Sequence, residues 1–348
     1  MIDVIRAGLL TTVQDLGRHG HRHLGVAQGG ALDRLSLEVG NRLVGNRPDA
    51  AGLEITFGPT VLRFPRATRV AITGTEFGAT LDGKPVYSWW SLPVEAGQEL
   101  TLQAARRGMR GYVAIAGGID VLPMLGSRST DLAGQFGGLG GQALRDGDRL
   151  PLGKPSQRAG FSLQAPEFGV KAPAWCKFVL VHEPLRRGRH PSGVAWAVPI
   201  RVLRGPEYDS FTAEAQQTFW SDEWLVTPNS NRMGYRLAGT ELKRTHKLDL
   251  LSHAVMPGTI QVPPNGQPIV LMSDAQTTGG YPKIGAVIQA DLWKLAQVRL
   301  NGAIRFITTT PHEARQALME ERAYLRQIDA AITMHEERCA RQPASAVL

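Results

Sequence analysis

Tyr112-Val113-Ala114-Ile115-Ala116-Gly117-Gly118 is an apolar run that ends in paired glycines, and Ile269-Val270-Leu271-Met272-Ser273-Asp274 is a second such run that leads into Gln276-Thr277-Thr278-Gly279-Gly280. Short apolar runs bounded by turn residues read as buried strands. Each half of the chain carries one of these strands late and a helix signal early, so the pattern fits two related β-barrels. Outward from these runs, Thr68-Arg69-Val70-Ala71-Ile72-Thr73, Glu99-Leu100-Thr101-Leu102-Gln103 and Pro199-Ile200-Arg201-Val202-Leu203 alternate as half-buried strands do. Asp82-Gly83 and Asp146-Gly147 supply hairpin-type turns. The fold class is mainly β with a few helices.

Four helices are expected. Leu32, Leu35, Val39 and Leu43 recur at helical spacing and stop at Gly45, and Phe211, Ala215 and Phe219 mark a second helix. Asp291 is placed to cap a short third helix through Leu292, Leu295 and Val298. Thr310-Pro311-His312-Glu313 combines a capping box with proline at the first helical position, and Leu318, Leu325, Ile328 and Ile332 continue as a stripe. The weakly periodic, proline-bearing stretch from Gly153 to Pro173 separates the halves. The expected domains are 1–155, 174–309 and a C-terminal helix over 310–340.

The 348 residues suffice for two domains, with 43% apolar and 20% charged residues, values that argue against disorder, fibre or coiled coil. No stretch approaches the roughly 20 apolar residues that span a bilayer, and the N-terminus has no signal-peptide pattern. A cytoplasmic protein without membrane contact is expected. Cys176 and Cys339 form no C-x-x-C pattern and read as idle thiols. The net charge of +8 is scattered, and its one dense run, Arg186-Arg187-Gly188-Arg189-His190, lacks aromatics, so a nucleic-acid partner is not expected.

No lysine stands in a phosphate-loop context, and Gly134 to Gly141 lacks dinucleotide-loop spacing and reads as a mobile loop. His19, His21 and His23 would share a face on a strand, but without a carboxylate partner no metal site is expected. Gly126-Ser127-Arg128-Ser129-Thr130 is no nucleophile elbow; its hydroxyls cap or line a cleft. The densest chemistry lies in Asn229-Ser230-Asn231-Arg232-Met233-Gly234-Tyr235-Arg236 and in Ser273 to Lys283. There Asp274, Gln276, Thr278, the Gly279-Gly280 backbone, Tyr281 and Lys283 offer donors for a developing oxyanion and charges to orient a substrate. Gln14, Asp15 and Arg18 form an N-terminal counterpart, which reads equally well as a structural ion pair.

Thr12-Val13-Gln14-Asp15-Leu16-Gly17-Arg18, Asn41-Arg42-Leu43-Val44-Gly45-Asn46, Ala116-Gly117-Gly118-Ile119, Gly126-Ser127-Arg128-Ser129-Thr130, Ser230-Asn231-Arg232-Met233-Gly234-Tyr235 and Gln276-Thr277-Thr278-Gly279-Gly280-Tyr281-Pro282 together resemble the allophanate hydrolase subunit 2 family. That family includes the 5-oxoprolinase subunit PxpC and KipA, and is similar to one half of the carboxyltransferase domain of urea carboxylase. The likeness runs in order from about Ile2 to Phe306, departing at His19-Gly20-His21-Arg22-His23 and at Leu300-Asn301-Gly302.

The resemblance implies two cyclophilin-like β-barrel domains. It also implies a KipI-like partner of the PxpB type, a LamB/YcsF-like partner of the PxpA type, and ATP-dependent hydrolysis of 5-oxo-L-proline to L-glutamate by the assembled complex. Alone, the chain is expected to do very little. ATP with magnesium would be shared with or bound by the partners, and because no lysine follows a methionine, covalent biotin is not expected on this chain. In such a hydrolase Asp274 or Asp15 would steer water or take a proton, Arg232 or Lys283 would hold a carboxylate or phosphate, and Asn231, Gln276, Thr278 and Gly279-Gly280 would bind the carbonyl. The alternatives are a carboxyltransferase half acting on a urea-like amide, and a regulator that binds a KipI-like kinase inhibitor without turnover.

Overall fold

The computed structural model describes residues 1–173, 197–246 and 250–341. The run Arg186 to His190 and Cys176 lie outside the described residues. The chain divides into two compact units, one comprising Met1–Gly17, Asp33–Pro173 and Arg322–Leu348, the other Arg18–Leu32 and Ala174–Glu321. Among the described residues no helix is long and apolar enough to cross a membrane.

In the first unit the strands form two six-stranded sheets. One runs Arg149–Leu150, Ile2–Arg6, Thr60–Arg63, Glu99–Leu102, Thr80–Leu81 and Lys84–Pro85 in spatial order. The other runs Phe168–Gly169, Trp90–Val94, Thr68–Glu76, Arg107–Ile115, Gly52–Thr56 and Leu10–Gln14. Both send apolar side chains into one core, which includes Ile2, Val4, Leu62 and Leu100 from the first sheet and Leu53, Val70, Ile72 and Val113 from the second. The turn at Asp82-Gly83 joins two paired strands with positive φ at both residues, as a tight hairpin requires.

The strand holding Thr68–Thr73 is buried on both faces rather than one. The reason is the helix Arg34–Leu43, capped by Asp33, whose carboxylate accepts the Ser36 N–H. Thr73 Oγ1 donates to the Ser36 carbonyl at 2.6 Å. A Cβ at Gly40 would stand 3.1 Å from Thr73 Oγ1 and 3.2 Å from Ala114 Cβ, so glycine is what lets helix and sheet approach. Gly134 to Gly141 is a tightly coiled turn: a Cβ at Gly138 would meet Thr130 Oγ1 at 1.9 Å, and one at Gly141 would meet the Gln135 carbonyl carbon at 2.1 Å.

The stretch from Gly153 to Pro173 packs within the first unit and has its own anchor. Arg69, 1% exposed, donates to the Ser162, Ala165 and Pro166 carbonyls at 2.8, 3.1 and 2.6 Å and to Ser91 Oγ at 2.8 Å. A buried guanidinium is tolerated there because four acceptors meet its fork of donors.

The second unit closes a barrel of seven strands in the order Val198–Arg204, Lys283–Val287, Thr259–Gln261, Ile269–Leu271, Gly234–Ala238, Trp224–Val226 and Ala303–Thr308. The first and last of these pair in parallel and the remaining neighbours antiparallel. The helix Ala213–Ser221 starts at Thr212, whose side chain accepts the Ala215 N–H, and buries Ala215 and Phe219 as their spacing predicts. Phe219 stacks on Phe306 with ring centroids 4.7 Å apart.

The short helix Leu292–Gln297 forms where expected, but Asp291 does not cap it. Its fully buried carboxylate instead takes Arg201 at 2.7 and 3.1 Å and Lys294 at 3.0 Å, because two cations compensate a buried carboxylate better than one amide does. The last helix, Pro311–Arg341, opens on the predicted capping box. Thr310 N donates to Glu313 Oε2 at 2.8 Å and Glu313 N to Thr310 Oγ1 at 3.2 Å.

Candidate functional site

In the second unit, two clusters lie at either end of the segment Ser273 to Lys283 that follows the strand Ile269–Leu271. At its start Asp274, 5% exposed, faces Arg232, 4% exposed. Arg232 Nε donates to Asp274 Oδ2 at 2.8 Å and Nη2 to Oδ1 at 2.9 Å, a bidentate fork. Nη2 also reaches the Gly30 carbonyl at 2.6 Å, while Gly29 N donates to the Ser273 carbonyl at 2.9 Å. The backbone draws the same elements together, since Asp274 N donates to the Arg232 carbonyl and Met272 N to that of Met233.

Arg18, 1% exposed, belongs to the same cluster. A Cβ at Gly29 would stand 2.9 Å from Arg18 Nη1 and 3.9 Å from Asp274 Oδ1, and Gly29 and Gly30 have φ of 64° and 87°. Only residues without a side chain fit between the guanidinium and the carboxylate there. Two arginines and one aspartate are thus gathered around a glycine turn, with Asp274 orienting Arg232 through both oxygens.

At the far end stands Lys283, 5% exposed. Its Nζ donates to the Tyr281 carbonyl at 3.2 Å and lies 3.4 Å from His253 Nδ1, while its backbone N–H goes to Glu207 Oε2 at 2.8 Å. Gln261 pairs with Lys283 directly across the barrel strands. Above them His253–Ala254 and Thr278–Gly279 form a two-stranded ribbon in which His253 opposes Gly279. Burial pushes the Lys283 ammonium below the ordinary lysine value, with Glu207 opposing.

A lowered folded-state value means that the unfolded chain holds more protons between that value and the ordinary one, so stability rises with pH through this window. Wild type is therefore expected to gain stability relative to Lys283→Met as pH is raised through it, in urea titrations at a series of alkaline pH values. A wild-type stability, measured relative to Lys283→Met, that stays constant or falls as pH rises contradicts the burial of a charged Lys283.

The other expected residues fall as follows. Asn231 is exposed and accepts the Met233 and Gly234 N–H groups at 2.9 and 3.3 Å, which shapes the turn that sends Arg232 inward. Gln276 and Thr278 are exposed, Tyr281 is 47% exposed, and Gly279 and Gly280 are half-buried. The Gln276 carbonyl lies 3.5 Å from Arg22 Nη2.

Gln14 and Asp15 belong to the first unit. Gln14 donates to Thr12 Oγ1 and the Thr130 carbonyl at 3.1 and 3.2 Å. The Asp15 carboxylate accepts from Gly17 N, Ser127 Oγ, Arg128 N and Ser129 Oγ at 2.7, 2.7, 2.6 and 2.5 Å. The Ser127 to Thr130 hydroxyls thus lock two loops together.

His19, His21 and His23 do not share a strand face. Gly20, with φ of 87°, breaks the extended path between them, and Arg22–Leu24 forms a single 3-10 turn. Among the described residues no three His, Cys, Asp or Glu side chains converge as a metal site would require. Gln261 and His253 were missed by sequence reasoning. The only signal for Gln261 was an amide between the apolar Ile260 and Val262, all three of which are buried.

Residues 24–308 match the family model described as carboxyltransferase domain, subdomain A and B. The chain belongs to this carboxyltransferase domain family. Within it, the chain is 46% identical over 337 residues to the C subunit of 5-oxoprolinase from Escherichia coli (strain K12), covering 97% of this chain and 100% of that one. It is 33% identical over 325 residues to the urea amidolyase of Lachancea kluyveri, covering 90% of this chain and 17% of that one. The crystal structure of the Kluyveromyces lactis urea carboxylase superposes with a TM-score of 0.80 at 31% identity, over 97% of this chain and 29% of that one. This carboxyltransferase-family chain therefore spans the whole of one relative and under a third of each of the two larger ones.

Proposed function

We propose that this chain is the C subunit of an ATP-dependent 5-oxoprolinase that opens 5-oxo-L-proline to L-glutamate with a KipI-like and a LamB/YcsF-like subunit. The observation that carries the reading is the end-to-end match to a protein named as the C subunit of 5-oxoprolinase, 97% of this chain against 100% of that one. A lactam carbonyl is a poor electrophile, and transfer of a phosphoryl group from ATP to its oxygen makes the ring carbon a target for water.

No lysine stands in a phosphate-loop context. We infer that ATP with magnesium is shared with or bound by the partner subunits. What this chain offers is positioning: a glycine-rich turn held by the Arg232–Asp274 fork, a buried ammonium at Lys283, and the polar rim of Gln276, Thr278 and Tyr281. In this reading the Asn231 side-chain amide and the Gly279-Gly280 N–H groups would donate to an amide carbonyl.

A second reading, transfer of a carboxyl group to a urea-like amide, is favoured by the urea amidolyase relatives and the urea carboxylase superposition. Co-expression of the chain with both partners, followed by 5-oxoproline-dependent release of ADP and glutamate, separates the two. Release that requires all three subunits is the expected result. A stable complex without turnover, or activity that needs biotin, would sink the hydrolase reading.

A further inference from the structure

We propose that Gln261, Lys283 and His253 form an anion site for a single planar carboxylate and that, resting on the hydrolase reading above, its occupant is the carboxylate of 5-oxo-L-proline. Gln261 and Lys283 are direct cross-strand partners on one face of the barrel wall, 2% and 5% exposed. Side chains so paired have their Cβ atoms about 5 Å apart, a span that the two oxygens of a carboxylate bridge between longer donors.

Neither side chain has an anionic hydrogen-bond partner among the described residues. Lys283 Nζ has a carbonyl and an imidazole within reach, at 3.2 and 3.4 Å, and no carboxylate within ion-pairing distance among the described residues. The neighbouring Glu207 is turned to the backbone N–H of Lys283. Gln261 Nε2 is buried with no hydrogen-bond acceptor among the described residues. Native proteins rarely leave a buried ammonium and a buried amide donor so placed, and among the described residues the acceptors short here are ones carrying negative charge.

Gly279 lies close over the Gln261 amide, and a Cβ there would fall 2.5 Å from Gln261 Nε2, so a side chain at this position would cover the donor. The site opens to solvent beside exposed His253 and Thr278. Its single ammonium compensates one negative charge, which selects a monoanionic carboxylate over a phosphate carrying two. His253 stands beside the pair, its Nδ1 3.4 Å from Lys283 Nζ and 3.2 Å from the Leu251 carbonyl.

The test uses the full chain and calorimetric titration with 5-oxo-L-proline, acetate, inorganic phosphate and 2-pyrrolidinone, the same lactam without its carboxylate. Two variants bracket the site: Lys283→Met removes the charge, and Gln261→Glu places a tethered carboxylate opposite Lys283 and fills the site from within. Both are expected to weaken 5-oxoproline and acetate at least tenfold and to leave 2-pyrrolidinone unchanged, with Lys283→Arg retaining most of the binding. Failure of wild type to bind either carboxylate, unchanged binding in both variants, or a preference for phosphate would overturn the site. The assembled enzyme separates this from the reading it rests on. Turnover with an unaltered KM for 5-oxoproline in both variants removes the site and keeps the hydrolase. Acetate binding lost in both variants, together with no turnover by wild-type complex, keeps the carboxylate site and removes the hydrolase.

Discussion

Replacing Arg232 with leucine is expected to cost about 3 to 5 kcal/mol of stability, the usual penalty for stranding one partner of a buried ion pair. Asp274 is 5% exposed and both of its oxygens are held by the guanidinium, so the variant leaves a carboxylate in a place where water does not replace the lost donors. The Gly30 carbonyl loses its partner at the same time, which loosens the turn between Arg18 and Leu32. Asp274→Ala should cost a similar amount by stranding Arg232. Replacing both together, Arg232→Met with Asp274→Leu, should recover part of the loss, because neither charge of the fork then faces an apolar replacement, while the neighbouring Arg18 keeps the recovery incomplete. Urea unfolding of the three variants measures this. Three equal losses would show that the fork contributes through its shape and not its charge.

The same series decides what Asp274 does. A carboxylate held through both oxygens by one guanidinium orients that partner, so Asp274→Asn in the assembled enzyme should lower activity and melting temperature together. Full stability with abolished turnover would instead make Asp274 a proton-transfer group.

Asp15→Ala is expected to cost about 3 kcal/mol, since four donors lose one acceptor each and buried donors left unmatched carry most of the penalty. Those donors, two serine hydroxyls and two backbone N–H groups, come from segments more than a hundred positions apart in the chain. Asp15→Asn keeps one accepting oxygen and turns an amide toward donors, so it should fall between alanine and wild type. The exposed pair of Asp3 with Arg149, at 3.1 Å, serves as the comparison, and Asp3→Ala should stay within about 1 kcal/mol of wild type. Thermal unfolding ranks the set. An Asp15→Ala protein as stable as wild type would return Asp15 to the residues whose role is chemical.

Local signals were the legible ones. The capping box at Thr310 and Glu313 and the Phe211, Ala215, Phe219 spacing involve residues within eight positions of each other, and both helices stand where those patterns put them. Asp291 shows the limit. Its sequence context reads as a cap, but one of its two cationic partners, Arg201, is 90 positions away, and charge compensation outweighed capping. The burial of Thr68–Thr73 on both faces depended on a helix more than twenty positions upstream packing over it. Arg232, Asp274 and Lys283 were legible as polar residues concentrated after an apolar strand. Gln261 and His253 were not, because a lone glutamine in a strand and a lone histidine in a loop acquire meaning only from the strand register that sets them beside Lys283.

The residues from Arg18 to Leu32 belong to the unit that otherwise begins at Ala174, and those from Arg322 onward return to the unit that begins at Met1. The chain therefore crosses between units four times, at positions 17, 32, 173 and 321. A gene crossover between two relatives at position 173 would inherit Arg18, Gly29 and Gly30 from one parent and Arg232 and Asp274 from the other. Such chimaeras keep a working turn only when both parents share that set, so the halves of this protein are constrained to diversify together.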